Sequence, residues 1–152
     1  MNTVTFHTTD IEQVLIEAVQ AKLDAYAATD DVASGVHVAN RKASPQSTQY
    51  DKQVVITARG GTESIYTLSA NARKSELIAI QCFVRNDDED EATYQAKRLA
   101  GVVEALLKTV RGNSIANVTI NATNNPVAYE GQEAETYSNA FVQVVGRMLR
   151  LS

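Results

Sequence analysis

The chain has 152 residues, the length of one ordinary domain, which can bury a core without disulfides or structural metals. Its net charge of −4, with Lys and Arg spread along the chain, has the wrong sign for a protein that mainly grips nucleic-acid phosphates. One cysteine cannot form an internal disulfide, no apolar run is long enough for a membrane span, and no signal peptide is expected. A reducing, cytoplasmic place of synthesis fits this composition.

The first part of the chain predicts a helix, a short strand and a long loop. Apolar residues at helical spacing indicate a helix from Asp10 to about Ala28, with the Asp10 side chain as its N-cap. Val36–Ala39 is a short strand candidate. The polar segment Asn40–Asp51, which contains a proline, predicts an exposed loop.

A hairpin and a central strand are expected next. "KQVVITARGG" predicts a strand with Val54, Ile56 and Ala58 on one face. Gly60-Gly61 predicts a tight hairpin turn, after which "SIYTLSA" is expected to return as a strand. "SELIAIQCFVR" has bulky apolar residues on both alternate sets, which is typical of a strand in the middle of a sheet.

A long helix and two final strands complete the pattern. The helix is expected from about Asp90 to Val110, with Gly101 inside it at a cost of up to about 1 kcal/mol unless a neighbour packs closely there. "ANVTINA" and "YSNAFVQVVGRMLR" predict strands, and "NNPVAYEGQEAE" between them predicts a loop. The order of elements predicts an α+β fold: a mainly antiparallel sheet of about five to six strands with two helices packed on one face.

Five consecutive acidic residues, Asp87 to Glu91, are the most conspicuous candidate for chemistry. A calcium-binding EF-hand loop requires a glycine at its turn and a distal Glu, and counting from Asp87 puts Ala92 and Arg98 at those places. Catalytic carboxylates need to converge from different elements, whereas these acids lie on one solvated segment. Acids in the first turn of a helix are stabilised by its free N–H groups, so the run predicts a helix start. Weak metal binding and repulsion of phosphate remain alternatives.

Other chemical motifs are weak in this sequence. The two histidines, His7 and His37, are too few for a zinc site without a cysteine cluster. Cys82 lies in an apolar run and is interpreted as a core thiol rather than a nucleophile. No serine lies in a nucleophile elbow, and "RGGTES" lacks the lysine of a phosphate loop. We therefore expect no catalytic residues, no cofactor and no metal, and a protein that works through its surfaces.

The succession "QVVITARGGTES…LSANARKSELIAIQCFVRNDDEDEATYQAKRLAGVVEALLKTV" resembles the tail terminator proteins of tailed bacteriophages. That family has an N-terminal helix, a strand with a Gly-rich turn, a strand running into an acidic loop, and a long alanine-rich helix. The resemblance covers roughly Asp10 to Arg150. The acidic "QEAETYSN" departs from the basic, proline-rich residues that family members often carry there.

The resemblance implies a virion protein without enzymatic activity. Members form a ring, usually hexameric, on the head-proximal end of the tail tube, where it stops tube polymerisation and receives the head. The implied partners are other copies of the chain, the tail tube protein and a connector or neck protein, with DNA only as passing cargo and no membrane. A head-to-tail joining or tail-completion protein of the same virion region is the alternative. A small hydrolase and a small-molecule binding module are kept as alternatives outside virion assembly.

Two groups of residues are candidates for the implied interfaces. We hypothesise that the loops Asn40–Asp51 and Arg59–Ser64 dock on the tube or a neighbouring subunit, because polarity and turn signals suggest that they project from the sheet. The residues assigned to this role are Ser44, Pro45, Gln46, Arg59, Gly60, Gly61 and Glu63. A second hypothesis places acids at the central channel, where negative charge repels passing DNA. These acids are Asp87, Asp88, Glu89 and Asp90.

Overall fold

The computed structural model describes residues 11–41, 51–65, 72–86, 88–111, 115–123, 127–129 and 138–151. These residues form two helices, α1 (Ile11–Tyr26) and α2 (Glu89–Leu107), and a short 3₁₀ turn, Asp31–Ala33. They also form six strands: β1 (Val36–Ala39), β2 (Lys52–Ile65), β3 (Ala72–Asn86), β4 (Ile115–Thr123), β5 (Val127–Tyr129) and β6 (Ser138–Leu151).

All six strands belong to one sheet, with the order β1-β2-β3-β6-β4 and with β5 beside β6. The short strand β1 pairs in parallel with the start of β2, and every other pair is antiparallel. The longest ladders join β3 to β2 on one side and to β6 on the other, so β3 is a central strand. The predicted α+β fold with a mainly antiparallel sheet is confirmed.

The hydrophobic core lies between the two helices and one face of the sheet. Each helix buries an apolar stripe, represented by Leu15 and Leu23 on α1 and by Leu99 and Val103 on α2, all fully buried. The sheet contributes alternate residues, because successive strand side chains point to opposite faces. The buried residues of the sheet in this core are Val36, Val38, Val54, Ile56, Ile78, Ile80, Cys82, Val84, Ile115, Val118, Val142, Val144 and Met148. The helices therefore cover one face of the sheet, as expected from the sequence.

The predicted hairpin turn at Gly60-Gly61 is wrong. β2 runs without interruption from Lys52 to Ile65, and its pairing with β3 contains a register shift between Ala58 and Gly61. Three residue steps along β2 are matched by two along β3, which is a β-bulge. Adjacent glycines favour a bulge as well as a turn, and the local sequence does not separate the two.

Two smaller boundaries also differ from the sequence prediction. The segment expected to be only a loop before the last strand contains β5, a three-residue strand that pairs with β6. The long helix begins one residue earlier than expected, at Glu89, and ends earlier, at Leu107. Val110, three residues after Leu107, is also buried, so the apolar pattern continues beyond the helix end.

Candidate assembly surfaces

The acidic run begins the long helix, as the sequence predicts. The Asp88 side chain accepts hydrogen bonds from the backbone N–H groups of Asp90 (2.9 Å) and Glu91 (3.4 Å) and is the N-cap of α2. The Asn86 side chain in turn accepts a hydrogen bond from the Asp88 N–H at 2.9 Å. This geometry satisfies donors that the first turn of a helix leaves without partners.

The acids of this run form an exposed negative surface at one end of the sheet. Asp88, Glu89, Asp90 and Glu91 are all exposed, and Asp87 lies outside the described residues. Within the part of the chain that the structure describes, no three His, Cys, Asp or Glu side chains are grouped so that they could hold a metal ion. The described acids place negative charge at the start of α2.

One ion pair and two lysine hydrogen bonds join three elements: α2, the 3₁₀ turn and β2. The Arg98 guanidinium on α2 contacts the Asp30 carboxylate, which precedes the 3₁₀ turn, at 2.5 Å, and lies 5.7 Å from the centroid of the Tyr94 ring. On β2, the Lys52 ammonium donates to the backbone carbonyls of Asp31 (2.9 Å) and Ser34 (3.3 Å). The contacts fix the 3₁₀ turn against both α2 and the sheet.

The pKa values of Asp30 and Lys52 are both lowered, for different physical reasons. The backbone N–H of Val32 and then the Arg98 side chain lower the pKa of Asp30, against the opposing effect of partial burial. Partial burial lowers the pKa of Lys52, which the neighbouring acids Asp31 and Asp30 oppose. The Asp30 carboxylate and the Arg98 guanidinium carry opposite charges in contact, and the Lys52 ammonium lies against two backbone carbonyls, so each of these charges has a favourable partner.

The fold separates the candidate docking residues of β2 from the candidate channel-facing acids. Ser44, Pro45 and Gln46 lie outside the described residues. Arg59, Gly60, Gly61 and Glu63 belong to β2 at and beyond its bulge, so they form part of the sheet instead of a projecting loop. Gly61 pairs with Glu76 near the start of β3, whereas the acidic run follows the end of β3. At about 3.3 Å per strand residue, the two groups lie about 30 Å apart along β3.

The thiol of Cys82 is a core group. It is fully buried, and burial, followed by the nearby charge of Glu104, raises its pKa to about 12. A thiol in this environment stays protonated at neutral pH and is a poor nucleophile. The interpretation of Cys82 as a core residue is confirmed.

Sequence analysis missed the long-range polar contacts. Asp30 and Arg98 are 68 residues apart in the chain. At the start of α1, the Glu12 carboxylate accepts a hydrogen bond from the backbone N–H of Ala58 at 2.9 Å. Local sequence patterns do not identify such pairs, because each of these two acids has other acids close to it in the sequence.

The surface of the described residues presents few large apolar side chains. Tyr94 is the large hydrophobic residue found exposed there, with 56% of its surface accessible. None of the described helices is both long and apolar enough to cross a membrane.

Comparison with known proteins identifies a structural neighbour but no sequence family. No protein-family model matches the chain, and no curated protein matches it in sequence. The fold is similar to that of a chain in the virion of a native gene transfer agent particle, with a TM-score of 0.62. The two are 14% identical in sequence, and the match covers 95% of this chain and 100% of the other. A likeness at this identity shows a shared fold.

Proposed function

We propose that the chain is a structural virion protein that acts as a tail terminator. In this role, copies of the chain form a ring, usually hexameric in the family that the sequence resembles, on the head-proximal end of the tail tube. The ring stops tube polymerisation and offers its opposite face to a connector or neck protein of the head. No catalytic step, cofactor or membrane is part of this role.

The observation that carries the proposal is the fold likeness to a virion chain over 95% of this chain and the whole of the other. It adds to the sequence resemblance, which rests on the succession of strands, acidic run and long helix. A head-to-tail joining or tail-completion protein of the same region is the second candidate, because a virion chain of similar fold supports it equally.

The ring is tested by native mass spectrometry over a range of protein concentrations, with negative-stain images of the same samples. We expect rings with a central hole, whose mass is an integral multiple of the 16.5 kDa subunit. If the chain is monomeric in solution, the same imaging is applied to purified tail tubes mixed with the chain, where we expect density on one end.

The terminator role is separated from the joining role by tube length. If the chain is a terminator, tubes made without it should grow beyond their normal length. If it is a joining protein, tails made without it should have the normal length but fail to attach to heads. Tails of normal length in the absence of this chain would therefore favour the second candidate.

The docking hypothesis for the polar segment between β1 and β2 is tested by deleting residues 44–48. If Ser44, Pro45 and Gln46 contact the tube or a neighbour, the deletion weakens ring formation or tube binding. Unchanged ring formation and tube binding would remove these residues from the interface.

A further inference from the structure

The sheet has two outer edges, and α1 closes part of one of them. On the outer side of β1, the Gln20 side chain accepts a hydrogen bond from the Val38 N–H and donates one to the Val36 carbonyl, both at 3.0 Å. The pairing of β1 with β2 covers only Lys52–Val55. Beyond Val55, the same edge of the sheet is formed by β2 itself.

The remainder of β2, residues 56–65, forms an open edge within the described part of the chain. Among the described residues no strand pairs with this side of β2. The Glu12 carboxylate takes up one edge donor, the Ala58 N–H, at the start of the bulge. Unpaired backbone N–H and C=O groups along a strand are a template for another strand, and a carboxylate at the edge limits uncontrolled pairing.

The opposite edge of the sheet is formed by β4. β4 is the last strand in the order and pairs only with β6 within the described part of the chain. Its nine residues, Ile115–Thr123, therefore present a second open edge. At about 3.3 Å per residue, each open edge is about 30 Å long.

The two open edges lie opposite each other across the sheet, at corresponding positions along the strands. One row of paired residues crosses the sheet from Ile56 through Ile80 and Val144 to Thr123. A second row crosses from Glu63 through Lys74 and Arg150 to Ile115. The open parts of β2 and β4 thus share the row of Ile56 and Thr123 at one end, and at the other end β2 extends two residues beyond the row of Ile115.

The two edges also match in direction. β2, β3, β6 and β4 are successively antiparallel, so β4 runs opposite to β2. If a second copy is placed beside the first in the same orientation, β4 of one copy meets β2 of the next as an antiparallel pair. The level, the length and the direction of the two edges all allow this contact.

We propose that β4 of one copy pairs with residues 56–65 of β2 in the next copy, so that the sheets of neighbouring subunits join. The inference rests on the proposed ring and names its seam. The occupant of each edge is a second copy of this chain, because the complementary edge is present on the same molecule. Such a contact is head-to-tail, which is the type that closes a ring of identical subunits. Closure removes the open edges from the assembled sheet.

Cysteine cross-linking between two variants tests the seam. Thr62 and Asn117 end the same row, which passes through Ser75 and Leu149. Residues opposite each other in an antiparallel pair have Cα atoms about 4.5–5.5 Å apart, which suits a disulfide. Thr62→Cys and Asn117→Cys are prepared as separate full-length variants, assembled together and mildly oxidised. Cys82 does not compete, because it is fully buried.

We expect a covalent dimer from the mixture and none from either variant alone. Thr119→Cys replaces Asn117→Cys in a second mixture, since joining sheets into a ring can shift the register by two residues. The control mixture pairs Asn117→Cys with Thr29→Cys, which lies at an exposed position after α1, and should give no dimer.

Hydrogen exchange on the unmodified chain provides a readout that does not depend on register. Amides of residues 56–65 and 115–123 should exchange more slowly in the assembled ring, isolated or on tube ends, than in the dilute subunit. A ring without slower exchange at either edge and without a cross-link in both mixtures would overturn the seam. The proposed function would then still stand, because its test is the ring and the length of the tubes.

Discussion

Two glycines that look alike in the sequence have opposite surroundings in the fold. A Cβ built on Gly146 of β6 would lie 2.6 Å from the backbone carbonyl oxygen of Thr119 on β4, so the two strands approach at a distance that only glycine permits. A Cβ on Gly101 of α2 meets nothing within 4 Å among the described residues. The packing partner that could have explained Gly101 is therefore not found there.

Alanine at these two positions should change stability in opposite directions. Gly146→Ala forces β4 away from β6 and should lower the free energy of unfolding by about 1–3 kcal/mol, as overpacking does. Gly101→Ala reduces the entropy of the unfolded chain and should raise the free energy of unfolding by up to about 1 kcal/mol. Urea unfolding of both variants measures the difference, and equal effects would contradict the close approach at Gly146.

The pair Asp30–Arg98 predicts a pH-dependent contribution to stability. Because contacts in the folded state lower the pKa of Asp30 below its ordinary value of 3.8, its charge stabilises the fold above that pH. The contribution is lost as the pH falls through the lowered pKa. Asp30→Asn keeps an acceptor for the Val32 N–H but removes the charge, so the variant should be less stable than the wild type at neutral pH.

The stability difference between Asp30→Asn and the wild type should narrow as the pH falls below about 4. Glu17→Gln is the matched control, because Glu17 is an exposed acid on α1 whose charge has no part in the pKa shifts of Asp30 and Lys52. Unfolding at several pH values measures both variants. A constant difference for Asp30→Asn across this range would exclude an effect of its charge.

Among the elements, the long helix was predictable because its start signal is local. Asp88 bonds to N–H groups two and three residues ahead, so the residues that matter lie within one turn. The bulge in β2 was not predictable in the same way. Whether Gly60-Gly61 turns the chain or only widens the strand depends on the pairing with β3, which is set by residues distant in the sequence.

The N-cap of α2 can be separated from general acidity at the helix start. Asp88→Ala removes the acceptor of two backbone N–H groups and should lower the free energy of unfolding by about 1 kcal/mol. Asp90→Ala removes an exposed acid of the same turn and should cost only a few tenths of a kcal/mol through the helix dipole. Urea unfolding of both variants compares them, and equal losses would mean that Asp88 acts only through its charge.

At the scale of the whole molecule, the sequence predicts the fold class better than it predicts the strand edges proposed to join neighbouring subunits. The apolar periods of the helices and strands are local, and they led to the correct layers. The two open edges depend on which strands are neighbours and on where β1 stops pairing, at Ala39 with Val55. Neither fact follows from a local pattern, so the residues proposed for the subunit seam could be recognised only in the fold.

The acidic start of α2 leads to a prediction for the assembled particle. Negative charge beside a channel repels DNA within about a Debye length, roughly 8–10 Å at physiological salt. If this surface faces the channel, removal of its charge should slow DNA ejection or leave DNA retained in the tail, more strongly at low salt. The triple variant Asp88→Asn, Glu89→Gln, Asp90→Asn tests this, because asparagine at position 88 still caps the helix.

A control with the same change in charge distinguishes a local effect from a change in net charge. Glu17→Gln, Asp24→Asn, Asp31→Asn neutralises three exposed acids on α1 and the 3₁₀ turn, none of which belongs to α2. Both triple variants should assemble normally, and only the first should slow ejection, measured as DNA release from purified particles after triggering. Equal ejection rates in both variants and the wild type would place the acidic start of α2 away from the channel. Its remaining role would then be to begin the helix.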